Sequence, residues 1–325
     1  MTNTLIFLLL GFGFLFWGAE WLVRGASKLA RMIGVPPLAI GLTVVAYGTS
    51  SPELIVNIQS VLSGKADIAL GNIVGSNIFN VLFVLGVCAL VLPLVVESKL
   101  IRWDVPIMIF VSGLLYVFCL DHKLSGWEGW VFIAGAALYT WFCFVYSKKE
   151  SKAVRDEYEK EFGNGNGDAR QTGSLVQNIA FIVMGLVILV IGAKWLVDSS
   201  VALARYFGIS ELVIALTIIA AGTSLPEVAT SVMATLKRER DIAIGNVIGS
   251  CIFNILFIMG TSAVLSGQGL AINPNSMVRD IPFMIFAAVI CYPILRSQST
   301  ISRMEGLLLF LLYIGYTVYL IQSNH

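Results

Sequence analysis

Two glutamates stand inside apolar segments of this 325-residue chain, and each belongs to the same short motif. Residues 48–53 read Gly-Thr-Ser-Ser-Pro-Glu, and residues 222–227 read Gly-Thr-Ser-Leu-Pro-Glu. A carboxylate within the hydrocarbon of a membrane costs several kcal/mol unless it has a partner. The duplicated acid therefore predicts a functional site that contains Glu53 and Glu227.

The proline of each motif predicts backbone oxygens that are available to a ligand. A proline inside a helix removes the hydrogen bond to the carbonyl four residues earlier, which here belongs to Gly48 or Gly222. Carbonyls without a partner are tolerated in hydrocarbon only where they line a cavity or bind something. A simple proline kink, with serine and threonine bonding back to the helix, would explain those residues but not the glutamate.

A second motif, Asn-x3-Ser-x3-Asn, begins at Asn72 and again at Asn246. A spacing of four places its three polar residues on one face of a helix. For Asn72 and Asn246, contacts between helices explain the residue at least as well as ion ligation does. The deeper positions are the better ligand candidates: Ser76, Asn80, Ser250 and Asn254.

The predicted ligand set contains carboxylate, amide, hydroxyl and carbonyl oxygens but no imidazole and no pair of thiolates. Such hard ligands suit calcium, sodium or magnesium rather than zinc or copper. Two carboxylates carry a charge of −2, which one calcium ion or two sodium ions can balance. A site that binds either one calcium ion or two sodium ions is the electrostatic basis of an exchanger. The empty site, with two uncompensated charges, should be high in free energy, which discourages the transporter from changing state without a bound ion.

The composition, 57% hydrophobic and 13% charged, is that of an all-α polytopic membrane protein. A span needs about 20 apolar residues, and the net charge of +1 gives no sign of a nucleic-acid partner. The first span is expected to be a retained helix rather than a signal peptide. We predict ten transmembrane helices: 4–23, 36–63, 68–93, 104–120, 125–147, 174–197, 210–236, 241–266, 280–295 and 304–322.

The two motifs are parts of a longer internal repeat, because residues 42–87 match residues 216–261 without a gap at 22 of 46 positions. Five spans in each half make the halves inverted repeats, an architecture typical of secondary transporters. The predicted division is a first repeat at 1–147, a flexible cytoplasmic linker at 148–173 and a second repeat at 174–325. Sixteen of the 21 basic residues then fall on one side, so the positive-inside rule places both termini outside the cytoplasm.

The five cysteines all fall in apolar segments and are expected to be small buried residues. Cys251 differs in position, because it follows Ser250 and is therefore expected near the site.

The paired GTSxPE and GNxxGSxxFN strings resemble the alpha repeats of the cation/calcium antiporter superfamily, and within it the sodium/calcium exchanger family. The motifs also resemble the potassium-dependent branch, and the core match covers about 92 residues in two blocks. The resemblance implies a site between the second, third, seventh and eighth helices, and first and sixth helices that slide to alternate access. It also implies the ion ligands: Glu53, Glu227, Thr49, Ser50, Thr223, Ser224, Ser76, Ser250, Asn80, Asn254 and the carbonyls of Ala46 and Ala220.

One residue departs from the family pattern. Several members carry an aspartate where this chain has Asn254, and in the potassium-dependent exchangers that acid is tied to potassium use. The amide argues against potassium co-transport.

These observations predict a sodium-driven calcium antiporter that is not an enzyme, uses no cofactor and can transport as a monomer in the lipid bilayer. A bacterial inner membrane is the expected location. A proton-coupled calcium antiporter stays open, because a buried carboxylate can titrate, although the extra hydroxyl and amide ligands favour sodium. A channel is disfavoured by the inverted repeat, and a serine hydrolase would need a base that no predicted span contains.

Overall fold

The computed structural model describes residues 2–162, 174–207, 220–297 and 299–323, and these are helical over most of their length. The first half of the chain contains six helices: α1 (Thr2–Ile33), α2 (Pro37–Thr49), α3 (Ser51–Leu62), α4 (Ala66–Val91), α5 (Leu100–Phe118) and α6 (Gly126–Phe162). The second half contains α7 (Leu175–Tyr206), α8 (Ala220–Gly222), α9 (Leu225–Leu236), α10 (Arg240–Leu265), α11 (Ser276–Arg296) and α12 (Arg303–Ser323).

Four two-residue strands join the halves at the ends of their helices. Strand β1 (Leu94–Val95) pairs antiparallel with β4 (Thr300–Ile301), so that Leu94 lies opposite Ile301. Strand β2 (Lys123–Leu124) pairs antiparallel with β3 (Leu270–Ala271), so that Leu124 lies opposite Leu270. Each pair takes one strand from each half of the chain.

The described residues contain eight helices that are long and apolar enough to cross a membrane, and the bent pair α2 and α3 is long and apolar enough when taken together. The prediction of an all-α polytopic membrane protein is confirmed. The predicted span 210–236 lies partly outside the described residues, which here contain α8 and α9. The first four positions of the repeat 216–261 lie outside them too.

Three predicted boundaries were wrong. Span 4–23 is part of a helix that continues to Ile33, because its last ten residues pack one face against the protein interior. Span 174–197 is part of a helix that continues to Tyr206. Span 36–63, by contrast, agrees in its bounds with α2 and α3 together, which meet at Ser50 with a bend of 44°. The segment 148–173 is not wholly a flexible linker, since α6 continues through Phe162; residues 163–173 lie outside the described part.

Helices α1 and α7 approach each other closely at two crossings of glycines. A Cβ atom on Gly18 would lie 2.9 Å from the carbonyl oxygen of Gly185, and one on Gly192 would lie 3.0 Å from that of Gly11. Small residues let helix backbones come this close in a membrane protein. Gly11 and Gly18 correspond to Gly185 and Gly192 at the repeat offset of 174, so the two crossings are equivalent.

Helices α4 and α10 lie at the centre of the molecule. Their most apolar windows are 78% and 94% buried, whereas that of α12 is 11% buried. A large apolar core surrounds them, and a smaller one lies between α1, α7 and parts of α2, α9 and α10. The two central helices carry the Asn-x3-Ser-x3-Asn motif, so the fold places that motif away from lipid.

Candidate ion-binding site

The GTSxPE motif breaks its span in both halves with the same backbone conformation. Ser50 has φ −82° and ψ 8°, and Ser224 has φ −89° and ψ 9°. Proline occupies the first turn of the helix that follows, where its missing N–H removes no intrahelical bond. Glu53 and Glu227 therefore stand in the first turn of α3 and α9, where the helix dipole stabilises a negative charge.

The Gly48 carbonyl is not available to a ligand in the way that the sequence predicted. The Ser51 hydroxyl donates a 2.6 Å hydrogen bond to it, which replaces the backbone bond that Pro52 cannot make. Leu225 occupies the equivalent position in the second motif and has no hydroxyl to donate to Gly222. The two prolines therefore leave chemically different carbonyls behind them.

Each glutamate accepts a hydrogen bond from the serine of the other motif. The Ser224 hydroxyl donates to Glu53 Oε1 at 2.9 Å, and the Ser50 hydroxyl donates to Glu227 Oε1, also at 2.9 Å. All four residues are 0% exposed. The two motifs therefore form one site, to which each half gives a carboxylate and the donor for the opposite carboxylate.

The second oxygen of each carboxylate is buried without a hydrogen-bond partner in the described part of the protein. A buried carboxylate oxygen without a partner is strongly unfavourable. A buried polar atom of this kind in a native fold calls for an explanation, such as an ion. Glu53 Oε2 and Glu227 Oε2 have the chemistry of calcium and sodium ligands.

Asn72 and Asn246 serve as contacts between helices. Asn72 Nδ2 donates to Asn57 Oδ1 at 2.7 Å, and Asn246 Nδ2 donates to Ser231 Oγ at 2.9 Å. Their Oδ1 atoms face the other half. The Thr49 hydroxyl donates to Asn246 at 3.0 Å, whereas the equivalent contact from Thr223 to Asn72 is 3.5 Å.

The predicted serine and alanine ligands meet the site in two different ways. The Ser224 hydroxyl lies 3.1 Å from that of Ser76, which places Ser76 next to the donor of Glu53. The Ser250 hydroxyl lies 3.5 Å from the carbonyl oxygen of Ala46, which also lies 3.3 Å from the Thr49 hydroxyl. Ala220 begins α8, and the proposed role of its carbonyl stays a prediction.

Asn80 and Asn254 lie in π-helical turns, Phe79–Val84 and Asn254–Met259. Such turns are frequent at functional sites. Both asparagines are fully buried, and both amide atoms of Asn80 and the Oδ1 atom of Asn254 have no partner among the described residues. No hydrogen bond given by the structure links either of them to the glutamates.

Three residues that hold the site are not predicted by the sequence motifs. Asn57 and Ser231 fix the amides of Asn72 and Asn246, and their common polarity at the repeat offset was a usable signal. Asn77 accepts a hydrogen bond from Asn254. The residue equivalent to Asn77 in the second half is Cys251, so Asn77 is not found among the polar residues that both halves share. Cys251 is adjacent to Asn77 as well as to Ser250, and all five cysteines are buried.

Within the described ranges, no three His, Cys, Asp or Glu side chains form a cluster that could hold a metal ion. The site has two carboxylates, and its other oxygens come from hydroxyl and amide groups and from backbone. Neutral ligands of this kind bind a hard cation without holding it as tightly as a resident metal centre would.

Comparison with known proteins gives a match over most of the chain. The family model described as sodium/calcium exchanger protein matches residues 3–145 and 177–322. The sodium/calcium exchanger MaX1 of Methanosarcina acetivorans is 34% identical over 348 aligned residues, which cover 98% of this chain and 99% of MaX1. The inner membrane protein YrbG of Escherichia coli K12 is 37% identical over 284 residues, with 87% and 86% covered.

A solved structure has a similar fold. The sodium-calcium exchanger NCX_Mj, in crystals soaked without sodium or calcium, aligns with a TM-score of 0.81 and 27% identity over 98% of both chains.

Proposed function

Because this multi-pass membrane protein belongs to the sodium/calcium exchanger protein family, we propose that it exchanges sodium for calcium at a site formed by Glu53 and Glu227. The observation that carries this proposal is the arrangement of the two buried carboxylates. Each has one oxygen held by a serine of the other half and one oxygen without a protein partner. The transported ions are substrates, and the protein is a transporter rather than an enzyme.

The charge of the site explains why the two ions compete. Two buried carboxylates require a compensating charge close by, and either one calcium ion or two sodium ions supplies it. Binding of one load therefore displaces the other, and the empty site is disfavoured. The hydroxyl and amide oxygens add neutral ligands: Thr49, Ser50, Ser76, Asn80, Thr223, Ser224, Ser250 and Asn254.

Alternating access requires a part of the molecule that moves past the site. The pair α1–α7 is the candidate, because its glycine crossings hold the two helices together and the apolar cluster between this pair and the rest of the protein is smaller than the main core. Each half donates a serine hydrogen bond to the glutamate of the other half, and this exchange of equivalent roles supports two inverted repeats that meet at the site. The distribution of basic residues places both termini outside the cytoplasm of an inner membrane.

A proton-coupled calcium antiporter is the second candidate. The observation that favours it is the complete burial of both carboxylates, because burial favours the protonated form of an acid. It would move calcium along a pH gradient in the absence of sodium.

The test is calcium uptake into proteoliposomes loaded with sodium, potassium or neither, and diluted into sodium-free buffer at constant pH. We expect uptake that requires internal sodium and is indifferent to potassium. Glu53→Gln and Glu227→Gln should each abolish it, since either change removes half of the charge that balances the ions.

Asp104→Asn is the matched control. Asp104 is also fully buried, with one oxygen bonded to the Tyr139 hydroxyl and the other without a described partner, but it lies on α5, which carries no predicted ligand. This variant should keep sodium-dependent uptake. Uptake driven by a pH gradient alone would replace sodium with protons in the proposal, and normal exchange by both glutamine variants would overturn the site.

A further inference from the structure

A chain of buried amides connects the two central helices beside the site. Asn77 Nδ2 lies 3.1 Å from the backbone carbonyl oxygen of Cys251, and Asn77 Oδ1 lies 3.0 Å from Asn254 Nδ2. Asn77 is 3% exposed, and Cys251 and Asn254 are no more than 1% exposed. The contacts therefore join α4 to α10 where water does not compete for them.

The order of donors and acceptors in this chain is fixed by chemistry. A carbonyl oxygen only accepts hydrogen bonds, so the atom of Asn77 that faces Cys251 must be its NH2 group. The other atom of Asn77, which faces Asn254, is then an acceptor. Asn254 must present its own NH2 group to Asn77, and its Oδ1 atom must point the other way, where it is buried without a described partner.

The equivalent amide in the first half has no such restraint. Asn80 corresponds to Asn254 at the repeat offset, and the residue that corresponds to Asn77 is Cys251. The Cys251 thiol donates to the backbone carbonyl oxygen of Asn77 at 3.8 Å and not to Asn80. Neither side-chain amide atom of Asn80 has a partner among the described residues. The structure therefore fixes the amide orientation at one of the two positions.

We propose that Asn77 is a positioning residue that holds the Asn254 amide with its carbonyl oxygen toward the transported cation. This inference rests on the proposed function. A cation is attracted by an amide oxygen and repelled by an amide NH2 group, so a flipped Asn254 would remove a ligand and add a repulsive dipole. Asn77 thereby makes Asn254 a neutral oxygen ligand without contacting the ion.

The proposal also explains why position 254 in this chain suits an amide. An ionised aspartate there would place a carboxylate oxygen against the oxygen of Asn77. Relief would require Asn77 to rotate, which would break its bond to the Cys251 carbonyl. An aspartate has two equivalent oxygens, however, and would present one to the cation in either orientation.

The experiment is a double-mutant cycle with Asn77→Ala and Asn254→Asp. The half-saturating calcium concentration is measured in sodium-loaded proteoliposomes, and calcium binding to each purified protein is measured by titration. Loss of the partner that orients a ligand typically weakens ion binding about 10- to 100-fold. We expect that loss for Asn77→Ala alone, with a smaller change in maximal rate.

In the Asn254→Asp background, Asn77→Ala should not weaken calcium binding, because the aspartate presents an oxygen to the cation in either orientation and loses an unfavourable contact with the Asn77 oxygen. Equal losses in both backgrounds would show a merely structural role and overturn the inference, as would no loss in either. Ser112→Ala is the control, since Ser112 is buried and its hydroxyl donates within α5, to the backbone carbonyl of Met108. If Asn77→Ala does not fold, Asn77→Ser is measured in both backgrounds by the same criterion.

The wild-type protein separates the two proposals. A wild type without sodium-dependent uptake would overturn the proposed function, and this inference with it. Wild-type exchange together with unchanged calcium binding by Asn77→Ala would overturn this inference alone.

Discussion

At the centre of the molecule the two glutamates have equivalent contacts in both halves, whereas two ion pairs between α1 and the chain after α9 depend on acids that one half alone carries, Glu20 and Glu239. At the centre, Ser50 and Ser224 each donate a hydrogen bond to the glutamate of the opposite half, at the same distance. At the end of α1, Glu239 accepts from Arg31 at 2.8 Å and from Ser27 at 2.6 Å. Glu20 pairs with Lys237 at 2.5 Å.

The sequence excludes the same ion pairs at the corresponding end of α7. At the repeat offset, Glu239 corresponds to Lys65 and Glu20 to Lys194. Both acids that form the ion pairs of α1 are therefore replaced by lysines at the equivalent positions of the other half. Under the proposed alternating access, a site that binds the same ions from both sides needs equal contributions from the two halves, but the contacts that close its two sides can differ. The one-sided ion pairs should favour the state in which α1 is held against the loop between α9 and α10.

The glycine crossings give the largest expected effect among the equivalent pairs. Gly18→Val and Gly192→Val should each destabilise the fold by about 3 kcal/mol or more, because a Cβ at either position lies 2.8 Å from a backbone nitrogen of the partner helix. We expect equal losses of folded protein, measured by thermal unfolding in detergent, and of calcium uptake. Unequal losses would show that the two crossings differ in function.

Gly13→Ala is the control for that pair. Gly13 also lies on α1, but a Cβ there meets only the Trp17 ring, at 3.5 Å. The variant should fold and transport normally, so a loss would mean that α1 tolerates no added side chain anywhere on this surface.

The crossed serines give the next largest effect. Ser50→Ala and Ser224→Ala each remove a hydrogen bond to a buried carboxylate, a bond worth about 1.5 to 3 kcal/mol. The half-saturating calcium concentration should rise roughly 10- to 100-fold in each variant, and by similar factors in the two. Ser112→Ala, whose bond lies within one helix, should leave calcium affinity unchanged. A large effect from only one of the crossed serines would break the equivalence.

Most of the polar centre could be predicted from the sequence, because selection for one shared site repeats the same residues in both halves. Glu53 and Ser224 were found in this way, and the structure brings them together. Residues that serve one half only carry no such signal: Ser51 satisfies the Gly48 carbonyl and Asn77 orients one amide. The break at Ser50 was predicted as a kink within one helix, because the sequence alone does not distinguish a proline inside a helix from a proline at the start of a new helix.

The threonine–asparagine contacts are a pair in which the two halves of the site are no longer equivalent. Thr49 donates to Asn246 at 3.0 Å, but Thr223 lies 3.5 Å from Asn72, which is at the limit for a hydrogen bond. Thr49→Val should therefore cost about 1 kcal/mol of stability and Thr223→Val only a few tenths. Chemical denaturation in mixed micelles can measure the difference, and equal costs would mean that the two contacts are the same in solution.

The smallest expected effect belongs to the one-sided ion pairs. Arg31 is largely exposed, and exposed ion pairs contribute about 0.2 to 1 kcal/mol. Arg31→Gln should therefore speed amide hydrogen exchange in the last turns of α1 by up to about fivefold at low salt. The effect should shrink in roughly 1 M salt, where charges are screened beyond about 3 Å. Lys28→Gln removes the same charge from the same helix, but Lys28 makes no ion pair with any residue that the structure describes. If both variants speed exchange equally, the helix responds to net charge rather than to the bond with Glu239, and the ion pairs do not favour one state of the transporter.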